Sequence, residues 1–211
     1  MIFKKSPGGW KMEKWEEKLP PRVRERLASI KITPEDRARI KAQEKVKSIL
    51  SAFYQDKLTP EQLGEEFKKL EIENREFLIK EAQTRIVDSI GLQILPEDFK
   101  KRGKALLVLE RLKKEAKPSL IKAEINLLGE LIKRCKEEKE RVYSQLKQQV
   151  EENPELRMRK AKTEGGEEIL VQLSVDEAVL TLPEWREFVS QHEEACSSQF
   201  AQLIDRIKNL L

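Results

Sequence analysis

Apolar residues recur at alternating steps of four and three along one stretch of this chain. They are Ile121, Ile125, Leu128, Ile132, Cys135, Val142 and Leu146, with Lys139 as the interruption. That spacing keeps a narrow apolar stripe on one side of a helix over many turns, facing a partner helix. The helix is bounded by Pro118 and by Asn153-Pro154, so it should span about 118–152, a rod near 50 Å long at about 1.5 Å per residue. A second stripe of the same kind, Phe188 (or Val189), His192, Cys196, Phe200, Leu203, Ile207 and Leu210, follows Pro183-Glu184. It predicts a terminal helix to Leu211 that runs back along the first.

Between the two the period changes. Arg157–Thr163 and Glu168–Ser174 read as strands joined through Gly165-Gly166, where glycine supplies the positive φ of a two-residue hairpin turn. The first strand is almost wholly basic, a pattern that protects an exposed edge from pairing with other chains. A short helix capped by Ser174 is expected over 175–181. An isolated hairpin is marginal in water, so this one must pack on something or order on binding.

Upstream, Thr33-Pro34-Glu35-Asp36 and Thr59-Pro60-Glu61-Gln62 place a capping residue before proline and acids in the first turn. Leu95-Pro96-Glu97-Asp98 has the proline and the acids without a polar cap. Helices over about 34–55, 60–91 and 96–116 follow, with Val46, Ile49, Leu50, Phe53, Leu63, Phe67, Leu70, Phe77, Phe99, Leu106, Leu109 and Leu112 at helical spacing. Residues 1–20, broken by Pro7-Gly8-Gly9 and closed by Pro20-Pro21, read as a tether, and a short helix is expected from Arg22 to about Ile30. The expected architecture is mainly α and elongated: a tether at 1–20, a helical region at 21–117, and a coiled-coil-like antiparallel helical hairpin at 118–211 with a small β-hairpin near 156–174.

Composition supports helices over disorder. Charged residues make up 38% of the chain against a usual share of about 25%, yet the apolar ones fall on stripes. Residues 1–58 carry 15 Lys/Arg against 8 Asp/Glu, and residues 168–211 carry 3 against 8. A basic front and an acidic rear can attract each other, a second copy or separate partners. No apolar run approaches the ~20 residues of a membrane span, and Met1–Trp10 meets Pro and Gly with no apolar signal core. A cytoplasmic, reducing location is the expectation, with Cys135 and Cys196 as small apolar fillers of the helical seams.

Catalytic chemistry is sparse. His192 is the only histidine, which leaves any histidine-based triad a single base, and it sits at a seam position. One His and two cysteines far apart in sequence do not make a common zinc set without carboxylates, so neither metal nor cofactor is expected. The adjacent acids Glu65-Glu66, Glu137-Glu138 and Glu193-Glu194 read as solvated helix faces. Neither Gly8-Gly9 nor Gly165-Gly166 fits a phosphate-binding loop. The leading expectation is therefore a non-enzymatic helical interaction or scaffold protein with protein partners, a second copy among them. Trp10 and Trp15 on the tether and Arg157, Arg159 and Lys160 on the hairpin are its candidate contacts. The alternative is nucleic-acid association through Arg22, Arg24, Arg26, Arg37, Arg39 and Lys41, followed by Lys45 and Lys47, with Lys100, Lys101, Arg102, Lys104 and the basic strand (Lys162 included) as further groups. A third expectation is a client-holding chaperone. Membrane-surface binding is opposed by Glu13, Glu16 and Glu17.

Overall fold

Proline-started helices dominate the computed structural model, which describes residues 20, 33–70, 75–162 and 168–211, the side chains of 34–38 excepted. Two units divide the chain, Met1–Lys45 and Val46–Leu211. The expected tether with Trp10 and Trp15, the helix from Arg22, and the Gly165-Gly166 turn lie outside the described residues.

Helix α1 (Pro34–Tyr54) starts in the first unit and continues into the second. The second unit then adds α2 (Pro60–Lys68), α3 (Arg75–Asp88), α4 (Pro96–Glu110) and α5 (Pro118–Glu152). A 3-10 turn (Pro154–Arg157) leads into strands β1 (Met158–Lys162) and β2 (Glu168–Gln172), followed by α6 (Val175–Thr181) and α7 (Pro183–Leu210). Among the described residues the protein is thus mainly helical with one small antiparallel sheet, as the pattern predicts. Local chemistry sets the helix starts. Thr59 accepts the Gln62 N–H at 3.2 Å while the Gln62 side chain accepts the Thr59 N–H at 2.9 Å. Ser174 and Glu177 build the same reciprocal cap before α6, so both helices begin with their first donors satisfied.

Two boundaries depart from the periodicity. The single helix expected over 60–91 is two, α2 and α3. The Arg75 guanidinium reaches back to donate to the carbonyls of Lys68 at 2.7 Å and Leu70 at 2.8 Å, supplying the donors that the end of α2 lacks. Because α3 starts afresh at Arg75, its inward face is reset. Leu78 is buried, and Phe77, expected inside, is 40% exposed. Similarly α4 stops at Glu110, not near 116, because the Glu110 carboxylate turns inward and accepts the Lys117 N–H at 2.8 Å.

The core of this unit joins Ile49, Leu50 and Phe53 of α1 with Leu63 and Phe67 of α2, Ile79 and Ile86 of α3, Leu106 and Leu109 of α4, Ile121 and Leu128 of α5, and Ile207 of α7, all buried. Helices α2 and α4 approach closely at Gly64, where an added Cβ would stand 2.5 Å from Val108 Cγ1. Gly64→Ala is therefore expected to destabilise by about 1–3 kcal/mol, although alanine favours a helix by about 1 kcal/mol. Urea denaturation reads the sign directly.

Helices α5 and α7 lie antiparallel. Their cross-links step in opposite directions along the two helices: Glu124 to Arg206 at 2.5 Å, Arg134 to Gln199 at 2.9 Å, Lys139 to Glu193 at 2.7 Å, and a disulfide joining Cys135 to Cys196. The seam is covered unevenly. Ile121, Ile125 and Leu128 are buried, joined by Leu131, whereas Ile132, Cys135, Val142 and Leu146 are half-buried. On α7 the buried positions are Trp185, Cys196, Ile204 and Ile207, so Ile204 takes the inward place expected of Leu203 and Phe200. Beyond the seam's far end a second small core gathers Val150, Ala178, Val179, Leu182 and Trp185.

Candidate functional site

Two parts of the α5–α7 pair carry chemistry that packing alone does not require. The first is the Cys135–Cys196 disulfide, which bridges residues 61 apart in sequence, with Cα atoms 6.3 Å apart. The expectation of two unlinked apolar fillers is thereby corrected: when antiparallel helices face each other, two seam positions distant in sequence become neighbours in space. His192, one turn before Cys196 on α7, enters the same group. Its Nε2 lies 2.9 Å from the carbonyl oxygen of Cys135. A carbonyl only accepts, so Nε2 carries the proton and donates, and Nδ1 is left with the lone pair of the neutral ring. Nδ1 stands 3.8 Å from Oε2 of Glu138 and 3.9 Å from Sγ of Cys196. The Phe188 ring stacks on the imidazole at 5.0 Å between centroids, holding its plane. Phe188 in turn meets Trp185, which meets Tyr143 edge-on at 5.3 Å, so an aromatic ladder runs from this group to the second core. Ligand atoms of Cys135, His192 and Cys196 all lie within 4.8 Å of one another, a grouping that could hold a metal ion. The sequence reading of two distant cysteines and an isolated histidine gives way to a cluster.

The second part is the end of the helical pair. Strand β2 pairs with β1 in a register that sets Met158 against Gln172 and Lys162 against Glu168. All five residues of β2 are exposed. Three of them are apolar, with Ile169 45%, Leu170 66% and Val171 36% exposed. Met158 on β1 and Leu180 on α6 are exposed as well. The base of the hairpin is anchored. Arg157 Nε donates to the Leu173 carbonyl at 2.9 Å, the Leu173 N–H donates to the Arg157 carbonyl at 2.9 Å, and Arg159 Nη2 reaches Oγ1 of Thr181 at 3.2 Å. Nearby, Asp176 accepts from Lys147 at 3.0 Å and Tyr143 at 2.8 Å, fixing α6 to α5. The Lys147 ammonium, then the Tyr143 hydroxyl, hold the Asp176 carboxyl below its usual range.

Of the sequence-predicted contact residues, Arg157 and Arg159 are thus engaged in holding the hairpin, and Lys160 forms an exposed ion pair with Glu168 at 3.3 Å. Trp10, Trp15, Arg22, Arg24 and Arg26 lie outside the described residues, as does the side chain of Arg37. Arg39 and Lys41 are exposed on α1. The 100–104 basic group is partly consumed by the fold. Lys101 donates to the Phe53 carbonyl and to Asp56, each at 2.5 Å, and Arg102 donates to the Ser89 carbonyl. Each of the adjacent acid pairs has a member in a contact: Glu65 with Lys68, Glu66 with Lys69, Glu137 with Lys133, Glu138 with His192, and Glu193 with Lys139.

Sequence reasoning passed over Glu138 as a member of the cysteine group, although it lies one turn from Cys135 on the same helix face. It also passed over the buried pair Gln83 and Glu110, 0% and 1% exposed. No pattern distinguishes Glu110 from the many carboxylates on solvated faces.

Residues 64–211, more than half of the chain, match the model of a protein family described as a family of unknown function (DUF6657). No curated protein and no solved structure matches the chain.

Proposed function

The chain belongs to that family of unknown function, so its role has to come from its own residues, and we propose a non-enzymatic helical protein that binds protein partners at the hairpin end of the α5–α7 pair. The observation that carries this reading is β2: a strand exposed along its length, with three consecutive exposed apolar residues and one edge that pairs with no other strand among the described residues. Such an edge offers main-chain hydrogen bonds to an added strand, while Ile169, Leu170 and Val171 offer apolar contact on both faces. Rigid anchoring by Arg157, Arg159 and the Asp176 contacts lowers the ordering cost that a loose hairpin would incur on binding. Cations suited to a phosphate backbone are fewer than the sequence suggests, since Lys101 and Arg102 are spent on capping, which ranks nucleic-acid binding second.

A cytoplasmic location belongs to the same proposal. Among the described residues no helix is long and apolar enough to cross a membrane. A reducing compartment favours the dithiol form of the Cys135–Cys196 pair.

The test is co-purification from native extract with and without nuclease, comparing the wild-type chain with the Ile169→Lys/Leu170→Lys double variant. The expected result is a set of proteins retained by the wild type after nuclease treatment and lost with the double variant, whose melting temperature is unchanged. Equal retention by both chains, or loss of all retained proteins on nuclease treatment, overturns the reading.

A further inference from the structure

We propose that Cys135, Cys196 and Nδ1 of His192, completed by the Glu138 carboxylate, form a binding site for a zinc-type divalent cation once the disulfide is reduced. The donor set is two sulfurs, one imidazole nitrogen and one carboxylate oxygen, the combination that a borderline-soft tetrahedral ion takes. Each helix supplies two donors from one face: Cys135 and Glu138 at i and i+3 on α5, His192 and Cys196 at i and i+4 on α7. Those spacings put successive donors one turn apart, so the four converge between the helices, not along one of them.

The histidine is already arranged as a ligand. Ligating imidazoles commonly donate their second N–H to a carbonyl or carboxylate, which fixes the ring and the tautomer. Here Nε2 donates to the Cys135 carbonyl at 2.9 Å, which leaves the Nδ1 lone pair free to bind. The Nδ1 to Glu138 Oε2 separation of 3.8 Å and the Nδ1 to Cys196 Sγ separation of 3.9 Å are near the donor-to-donor edges of roughly 3.3–3.8 Å that follow from tetrahedral zinc bond lengths. The sulfur of Cys196 lies closer to Nε2, at 3.6 Å, so the ring has to turn to present Nδ1 to an ion shared with it. What must change is the sulfur pair, which parts from bonding distance to about 3.8 Å. Side-chain rotation supplies this while the Cα atoms stay close to 6.3 Å apart. Cys196 is buried, and the His192 side chain is 9% exposed beneath the stacked Phe188 ring, so two of the donors sit largely out of bulk water.

The two states exclude each other because they use the same sulfurs. A dithiol reductant delivers two electrons and two protons to the Cys135–Cys196 bond, giving two thiols and its own cyclic disulfide. A divalent cation then displaces two protons as the thiols become thiolates. Either way α5 and α7 are pinned at the same point, by a covalent bond under oxidising conditions and by an ion under reducing ones.

Cobalt(II) is a suitable probe, because thiolate coordination in a tetrahedral field gives it charge-transfer and visible bands that the aqueous ion lacks. The full chain is reduced, freed of reductant without oxygen and titrated with cobalt(II), then with zinc(II), and the oxidised chain is treated in parallel. Expected are one cobalt(II) per reduced chain with thiolate bands, displacement of cobalt by zinc(II), and no bands in the oxidised chain. His192→Ala and Glu138→Gln should each weaken cobalt binding by at least tenfold. Glu138, with its side chain 45% exposed on α5, is the milder change to the fold, so it keeps the test decisive should the histidine variant unfold. Equal spectra from oxidised and reduced chains, or wild-type affinity in the Glu138 and His192 variants, would overturn the proposal.

Discussion

Replacing Glu110 with alanine is expected to destabilise the protein by about 3–5 kcal/mol, the cost of stranding one half of a buried ion pair. Glu110 is 1% exposed and its carboxylate makes three hydrogen-bond or ionic contacts away from water. Its Oε2 accepts from Gln83 at 2.9 Å and pairs with the Lys113 ammonium at 2.8 Å, and its Oε1 accepts the Lys117 N–H at 2.8 Å. Lys113 also donates to the Leu211 carbonyl at 3.1 Å, so the carboxylate links α4 to α3, to the start of α5 and to the end of α7. Burial on its own raises the carboxyl pKa. The donors Gln83 and Lys113, followed by the Lys117 N–H, outweigh it and leave the group below its ordinary value of 4.5. Because the folded pKa is depressed, the stabilisation is complete above about pH 4.5 and is lost as pH falls through the folded value. Two measurements check this. Chemical denaturation at pH 7 should show the loss in Glu110→Ala. An acid series should show a steeper decline in the wild type than in the variant below pH 4.5. A smaller loss is expected for Glu110→Gln, which keeps an acceptor for Lys117 but turns an amide toward Gln83 and Lys113. Wild-type stability in Glu110→Ala would mean that this network is solvated.

Glu110 also marks where sequence periodicity stops being informative. Helix identity was legible where a proline or a capping residue opened an apolar stripe. Pro118–Glu152, Val175–Thr181 and the start at Pro183 follow from residues whose effects are local. What was not legible depends on which helix lies opposite. A glutamate three residues before a lysine has the same pattern on a solvated face and in a buried pair, and only the placement of Gln83 and the turn at Lys117 decides between them. Arg75 is similar: nothing near it announces that it will cap the preceding helix and split an apolar run in two. The cysteine group is an intermediate case. Cys135, His192 and Cys196 were each readable as seam positions of helices expected to be antiparallel, and pairing the two seams in register would have brought them together. The antiparallel pairing is legible in the two stripes, but the register that sets Cys135 against Cys196 is not, because no local pattern fixes how far one helix slides along the other.

The seam itself yields the other large effect. Leu128→Ala should cost about 2–5 kcal/mol, since the side chain is fully buried and its removal leaves a cavity that the neighbouring helices only partly fill. In a chain of this size that is a fall in melting temperature of roughly 4–20 °C. The neighbourhood supports the upper part of the range. α4 packs so closely here that an added Cβ on Gly129 would stand 2.8 Å from Phe99, and one on Gly103 would stand 3.2 Å from Ile125. With the Phe99 and Ile125 side chains already against the facing helix, the helices cannot easily close around a missing isobutyl group, and packing this dense relaxes little. Further along α5 the covering is thinner. Leu146 is only half-buried beside the second core, so Leu146→Ala should cost distinctly less than Leu128→Ala. The comparison separates two accounts of the helix. If a single antiparallel partner covered the whole stripe evenly, the two leucines would cost the same. If the first half of α5 is clamped between α4 and α7 while the far half has α7 and α6 alone, Leu128 dominates. Thermal denaturation of both variants under oxidising conditions, with the Cys135–Cys196 bond intact in each, distinguishes them, and an unchanged melting temperature for Leu128→Ala would remove the seam from the core.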